Sequence, residues 1–205
     1  MTETSLTLKE IYDLALKALI FNGCDKLNAE AVATTVTDAE RDGSVSHGLF
    51  RIPGYVLALK SKKANGNSKP TNLMLTQNVI RVDGDYGFAP MAIKVGIPKL
   101  IEITNNHGVG VLTITNTHHF AALWHETEAL ANENLIGIAC TAYKPSVAPA
   151  GAKKPLFGTN PISFAWPRKN NTPVVYDMAT STMAMGEVQV AARDGHKVPF
   201  GTGLN

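Results

Sequence analysis

Residues 79–115 read VIRVDGDYGFAPMAIKVGIPKLIEITNNHGVGVLTIT, and this stretch decides the fold class. Val79, Ile80, Arg81 and Val82 form a short, mostly β-branched run that reads as a strand. Residues 90–105 read as a helix strained by Gly96 and Pro98. Residues 109–115 then alternate Val111, Thr113 and Thr115 with Leu112 and Ile114, which is strand periodicity. A strand, a helix and a strand in succession predict an α/β protein.

The alternation continues downstream. Residues 121–134 read as a helix, 135–141 as a buried strand, 162–166 and 174–177 as strands, and 182–193 as a helix. Between them, residues 143–161 carry Pro145, Pro149, Pro155, Gly151 and Gly158, and a loop of that length is usually functional. Upstream the pattern is helical. Thr7 and Glu10 form a capping box ahead of Leu8, Ile11, Tyr12, Ala15 and Leu19, whose helical spacing runs up to Gly23. A second helix is expected from an N-cap at Asn28 to Gly43, with Ala31, Val32, Thr35, Val36 and Ala39 on one side. A third is opened or interrupted by Pro53 and Gly54. The polar segment SKKANGNSKP that follows marks a boundary between a helical N-terminal unit, residues 1–66, and an α/β domain, residues 67–205.

A chain of 205 residues that is 44% hydrophobic can bury a full core. Its 19 Lys+Arg and 17 Asp+Glu are interleaved, so no basic stripe exists to track a phosphate backbone, and nucleic acid is not an expected partner. Apolar runs such as residues 135–140 fall short of the roughly 20 residues a membrane span needs. The N-terminus MTETSLTLKE lacks the order of a signal region, so no membrane association and a soluble, cytoplasmic protein are expected. Cys24 and Cys140 form no C-x-x-C motif and are expected to be two buried free thiols.

No G-x-G-x-x-G fingerprint, phosphate-loop motif, H-E-x-x-H helix or G-x-S-x-G elbow is present, which excludes the standard dinucleotide, NTPase, zincin and α/β-hydrolase readings. What remains is a set of histidines. His47 and Arg51 are four apart; were residues 47–51 helical, an acid–base group and a bidentate carboxylate binder would share a face. Taken alone, such a histidine is more often structural or solvated. His118 and His119 face opposite ways in extended backbone and have no third ligand at sensible spacing, so no metal is expected. They precede a helix whose first amides could hold an anion; an aromatic cluster of His119, Phe120 and Trp124 packing helix on sheet is an equal alternative. Asp177 ends a strand, where an acid commonly just caps the next helix. These features point toward an enzyme acting on a small anion.

Four ordered segments carry more: RDGSVSHGLFRIPGY at 41–55, HHFAALW at 118–124, GTNPISF at 158–164 and DMATS at 177–181. Together they resemble the malate/L-lactate dehydrogenase family of non-Rossmann nicotinamide enzymes, and within it most nearly the branch that reduces cyclic 2-imino acids. The resemblance runs from about residue 7 onward. It implies a mixed-sheet, non-Rossmann cofactor domain and NADPH as cofactor. His47 matches the family's proton donor, Ser46 its hydrogen-bonding neighbour, and Arg51 and Thr159 the positions that hold a substrate carboxylate. His118, His119, Phe120, Ala121, Ala122, Asp177, Met178, Ala179, Met185 and Gly186 match segments lining the cofactor. Glu187 stands where the imine branch has an aspartate in a relay to the histidine, and Met185 departs from the histidine expected beside Gly186.

The implied reaction takes Δ1-piperideine-2-carboxylate to L-pipecolate and Δ1-pyrroline-2-carboxylate to L-proline, in a homodimer. A 2-oxo acid dehydrogenase of the malate or lactate type and a catalytically dead remnant remain as alternatives. Family members run longer, so the resemblance further implies a fold incomplete at the C-terminus.

Overall fold

In the computed structural model, residues 5–119 and 121–202 are described, and they fall into two compact units, Met1–Ala121 and Ala122–Asn205. The boundary expected at 66/67 lies inside the first unit. The polar segment there is not a linker, because its backbone and side chains tie helices to a strand-end loop. Asp25 N–H donates to the Gly66 carbonyl at 2.9 Å and Asn65 N–H to the Tyr86 carbonyl at 2.8 Å. Ser68 Oγ donates to Asn28 Oδ1 at 2.6 Å, with both residues buried.

The first unit opens with α1 (Leu8–Phe21), where the Thr7 and Glu10 capping box is present as expected. Helix α2 (Lys26–Arg41) starts earlier than Asn28: Asp25 is the N-cap and accepts the Asn28 N–H at 2.8 Å. After two 3₁₀ turns, Val45–His47 and Leu49–Arg51, α3 (Ile52–Lys60) begins with Pro53 in its first turn. Leu19 of α1, Val32 and Val36 of α2, and Tyr55 of α3 share one core with Phe88. Burial of these large apolar side chains is the main force holding the unit.

Three strands complete it. β1 (Thr71–Thr76) pairs antiparallel with β2 (Val79–Asp83), which pairs parallel with β3 (Val111–Thr115). The crossover is α4 (Ala89–His107), continuous through Gly96 and Pro98. Gly96 is needed for close approach, since a Cβ there would lie 2.9 to 3.0 Å from Leu112 and Val82 side chains of the sheet.

The second unit is an antiparallel sheet of β4 (Gly137–Cys140), β5 (Ile162–Arg168) and β6 (Asn171–Met178), with α5 (Trp124–Asn132) against it and α6 (Met185–Asp194) following. The strand expected to be buried, β4, is buried only at Gly137 and exposes Ile138 and Cys140. The expectation of two buried thiols therefore holds for Cys24 alone. Both sheets together form the mixed α/β fold expected. Among the described residues, no helix is long and apolar enough to cross a membrane.

Candidate active site

In the first unit, α2 ends at Arg41 and the chain turns back on it, with Ser44 N–H donating to the Ala39 carbonyl at 2.8 Å. This puts Ser46 in a buried position and His47 at the end of the first 3₁₀ turn. Gly48, at φ −84° and ψ −143°, breaks the helix, so His47 and Arg51 do not share the face of one continuous helix as the spacing suggested. They are brought together across two separate turns instead. Ser46 Oγ lies 3.0 Å from His47 Nδ1, and Ser44 Oγ lies 3.4 Å from the same nitrogen. Burial, reinforced by the Arg51 guanidinium, pulls the His47 imidazole down to about 4. At neutral pH it is uncharged.

His119 enters the same group from beyond β3, with a left-handed φ of 53°. The Tyr55 hydroxyl is 3.1 Å from its Nδ1, and the two rings meet edge-on at 5.4 Å. Burial pushes the Tyr55 phenol up, so it stays protonated and is able to donate to a neutral imidazole nitrogen. His119 is pulled down to about 3 by burial and then by Arg51, His47 and His118, all of which lie within electrostatic reach of it. His118 is held by its own N–H, which donates to the Gly87 carbonyl at 2.8 Å, and its ring packs edge-on against buried Phe88 at 5.9 Å. Burial lowers it as well, with help from Lys63.

Tyr55 was not among the residues singled out from sequence, although its place four residues after Arg51, on the helix opened by Pro53, was a readable signal.

The second unit gathers a different set. Buried Thr159 offers its carbonyl to Thr180, which donates its N–H at 2.9 Å and its hydroxyl at 3.2 Å. That ties Thr159 to the strand end carrying Asp177, Met178 and Ala179. Asp177 does cap a helix, but not the next one. Its Oδ2 accepts the Trp124 N–H at the start of α5, at 2.9 Å across 53 residues of sequence. Thr127 and Ser163, both fully buried, lock the same helix to β5 with a 2.7 Å hydroxyl contact.

The anion site expected at this helix start is thus taken by the protein's own carboxylate. Glu126, in the first turn of α5, adds a second acid whose Oε2 is buried without a hydrogen-bond partner. Burial, with a smaller push from Asp177, raises Glu126 to about 7 against a backbone hydrogen bond and His125, which lower it. Sequence carried no signal for this, since a first-turn glutamate ordinarily faces water.

Glu187 and its neighbours sit at the start of α6. Glu187 Oε2 accepts the Ala184 N–H at 3.2 Å, Met185 opens the helix, and Gly186 is buried. Glu187 belongs to the second unit and His47 to the first. Ala121 ends the first unit and Ala122 begins the second. Phe120 lies outside the described residues.

A nicotinamide ring needs a flat, largely apolar wall, and the half-buried imidazoles of His118 and His119 backed by buried Tyr55 and Phe88 fit that need. A pyrophosphate needs amide or cationic donors. At the starts of α5 and α6 a carboxylate already takes one amide each, the Trp124 and Ala184 N–H, which disfavours an anion there. Among the described residues, no group of three or more His, Cys, Asp or Glu could hold a metal ion.

Known proteins extend this geometry. The malate/L-lactate dehydrogenase family profile matches residues 6–205. Delta(1)-pyrroline-2-carboxylate reductase 1 of Burkholderia ambifaria is 40% identical over 199 residues, which is 97% of this chain and 58% of that protein. The crystal structure of delta1-piperideine-2-carboxylate reductase from Pseudomonas syringae pathovar tomato superposes with a TM-score of 0.90 at 38% identity, covering 96% of this chain and 59% of that one. Malate dehydrogenase from Entamoeba histolytica superposes with a TM-score of 0.91 at 28% identity, covering 97% of this chain and 55% of that one. The chain thus spans well under two thirds of each of these relatives. With a profile matched over nearly its whole length and its fold shared with solved members, the chain belongs to the malate/L-lactate dehydrogenase family.

Proposed function

We propose that this chain supplies the proton-handling and carboxylate-binding groups of an NADPH-dependent reductase of cyclic 2-imino acids. The substrates on this reading are Δ1-piperideine-2-carboxylate and Δ1-pyrroline-2-carboxylate, reduced to L-pipecolate and L-proline by a cytoplasmic homodimer. The observation that carries it is the gathering of Ser46, His47, Arg51, Tyr55 and His119 in one unit, beside likeness to reductases of these substrates.

Arg51 grips the substrate carboxylate through two parallel N–H donors, with Thr159 as a further carboxylate contact. A bound nicotinamide would supply the hydride that C2 of the C=N bond takes up. The π electrons move to nitrogen, which takes a proton from the His47 imidazolium. Free His47 is neutral, so it must first be charged. A carboxylate on Arg51 offsets the guanidinium that depresses His47 and moves its pKa upward, coupling substrate binding to proton loading. Ser46 holds Nδ1 and leaves Nε2 for the substrate. His118, His119, Ala122, Asp177, Met178, Ala179, Met185 and Gly186 are proposed to line the cofactor, and Glu187 to tune His47.

A 2-oxo acid dehydrogenase is the second reading, favoured by the superposition on a malate dehydrogenase. Oxidation of NADPH and of NADH is measured with the two cyclic imines, pyruvate and oxaloacetate. Saturable turnover of the imines with NADPH supports the proposal. Turnover of oxo acids alone supports the second reading, and activity with none overturns both.

A further inference from the structure

Gly48 is the swivel between the turn that carries His47 and the turn that carries Arg51. The Glu40 carboxylate fills the space that a side chain on Gly48 would take, so a side chain there would have to displace it. A Cβ on Gly48 would stand 2.1 Å from Glu40 Oε1, 2.4 Å from Cδ and 2.7 Å from Cγ. The same Oε1 accepts the Leu49 N–H at 2.7 Å. That amide is the first orphan donor of the second turn, whose closing bond runs from Arg51 N–H to the Gly48 carbonyl at 2.9 Å.

Glu40 lies in the last turn of α2, whose inner face is embedded in the core through Val32, Val36 and Ala39. It therefore transmits the position of a rigid helix to an otherwise free joint. We infer that Glu40 is a positioning residue for the reductase: by clamping Gly48 and Leu49 it sets the separation between the His47 imidazole and the Arg51 guanidinium. Glu40 need not touch substrate. Its carboxylate contributes through geometry, and the needed property is an acceptor oxygen at that place rather than a charge. The inference rests on the roles proposed above for His47 and Arg51.

The test uses Glu40→Ala, Glu40→Gln and Gly48→Ala, with His47→Ala as control, assayed on Δ1-piperideine-2-carboxylate. Folding is followed by circular dichroism and melting temperature. A misplacement of about 1 Å can cost ~10²-fold in rate, so Glu40→Ala and Gly48→Ala are expected to lose roughly 10- to 100-fold in kcat and to raise KM for the imino acid. Glu40→Gln keeps an acceptor oxygen for the Leu49 N–H, and its kcat and KM should stay within about threefold of wild type. A merely structural role would lower the melting temperature and the active fraction but leave KM unmoved.

If His47→Ala is inactive while folded Glu40→Ala keeps wild-type kcat and KM, the inference falls and the reading of the site stands. If His47→Ala is fully active, the reading of the site falls and the catalytic part of the inference with it. A crystal structure of Glu40→Ala decides the geometry independently of activity. A changed His47 to Arg51 separation supports the clamp, and an unchanged one overturns it.

Discussion

In the first unit burial acts on imidazoles beside a guanidinium, whereas in the second it acts on carboxyl groups at a helix start. His47 and His119 are pulled down to about 4 and about 3, first by burial and then by Arg51. Glu126 is pushed up to about 7, and Asp177 is raised, again first by burial. The physics is the same, since a low-dielectric surrounding disfavours whichever form is charged. The consequence is opposite. An anion entering the first unit would meet the Arg51 guanidinium and imidazoles able to take up a proton beside it, while an anion at the start of α5 would meet carboxylates. On the proposed reading, this contrast favours the first unit over the start of α5 for the substrate carboxylate.

The sharpest break of this contrast is His47→Ala. Loss of a positioned proton donor should lower kcat by about 10²- to 10⁴-fold, with cofactor affinity nearly intact, as read by steady-state turnover and by cofactor titration. Near-wild-type turnover would remove His47 from the mechanism. Arg51→Lys comes next. It keeps the charge that depresses His47 but loses the planar fork, so KM for the imino acid should rise about tenfold or more. An unchanged KM would show that the guanidinium holds something other than substrate.

Local patterns in the sequence made much of the first unit legible. The Thr7 and Glu10 capping box, the β-branched run at Val79 and the alternation from Val111 depend on neighbours a few residues away. Three features were illegible for a shared reason. Asp25 rather than Asn28 caps α2 because Asn28 is engaged with Ser68, 40 residues away. Gly48 breaks the expected helical face at a joint where Glu40, nine residues before Leu49, takes the Leu49 N–H. Asp177 caps α5 rather than α6 through a contact spanning 53 residues. Each depends on a partner remote in sequence or on space that only the folded chain defines. Of the candidate site, the Ser46, His47 and Arg51 segment was visible as a motif; the acid pair was not.

A smaller effect sharpens the acid side. Glu126 has its folded pKa raised from 4.5 to about 7, so the native state holds the extra proton between those values. Its contribution is most favourable below pH 4.5 and is lost as pH rises through about 7. The histidines run the other way. Held neutral in the fold, they support stability above pH 6.5, and that support is lost as pH falls toward about 4. Glu126→Gln removes only the first slope. Relative to wild type, the variant should gain roughly 1–2 kcal/mol on going from pH 5 to pH 8, after allowance for partial exposure, as measured by urea midpoints. Parallel pH profiles for the two proteins would mean that Glu126 is not buried as an acid.

The smallest effect tests whether Asp177 serves the fold or the cofactor. Its carboxylate takes the Trp124 N–H at 2.9 Å, and burial raises its pKa while that bond and one from Leu123 N–H lower it. Alanine at this position leaves the α5 start without its acceptor and should cost about 1 kcal/mol, the usual value of a helix cap. Asparagine keeps an acceptor oxygen and gives up the charge, so Asp177→Asn should stay within a few tenths of a kcal/mol of wild type. Cofactor affinity separates the roles. If Asp177 acts only by holding α5, Asp177→Asn leaves NADPH affinity unchanged by fluorescence titration, because the helix keeps its place. If affinity falls about tenfold while the melting temperature holds, the carboxylate meets the cofactor directly, and the opposition between an anion-binding first unit and an acid-lined second unit becomes a division of labour between substrate and cofactor.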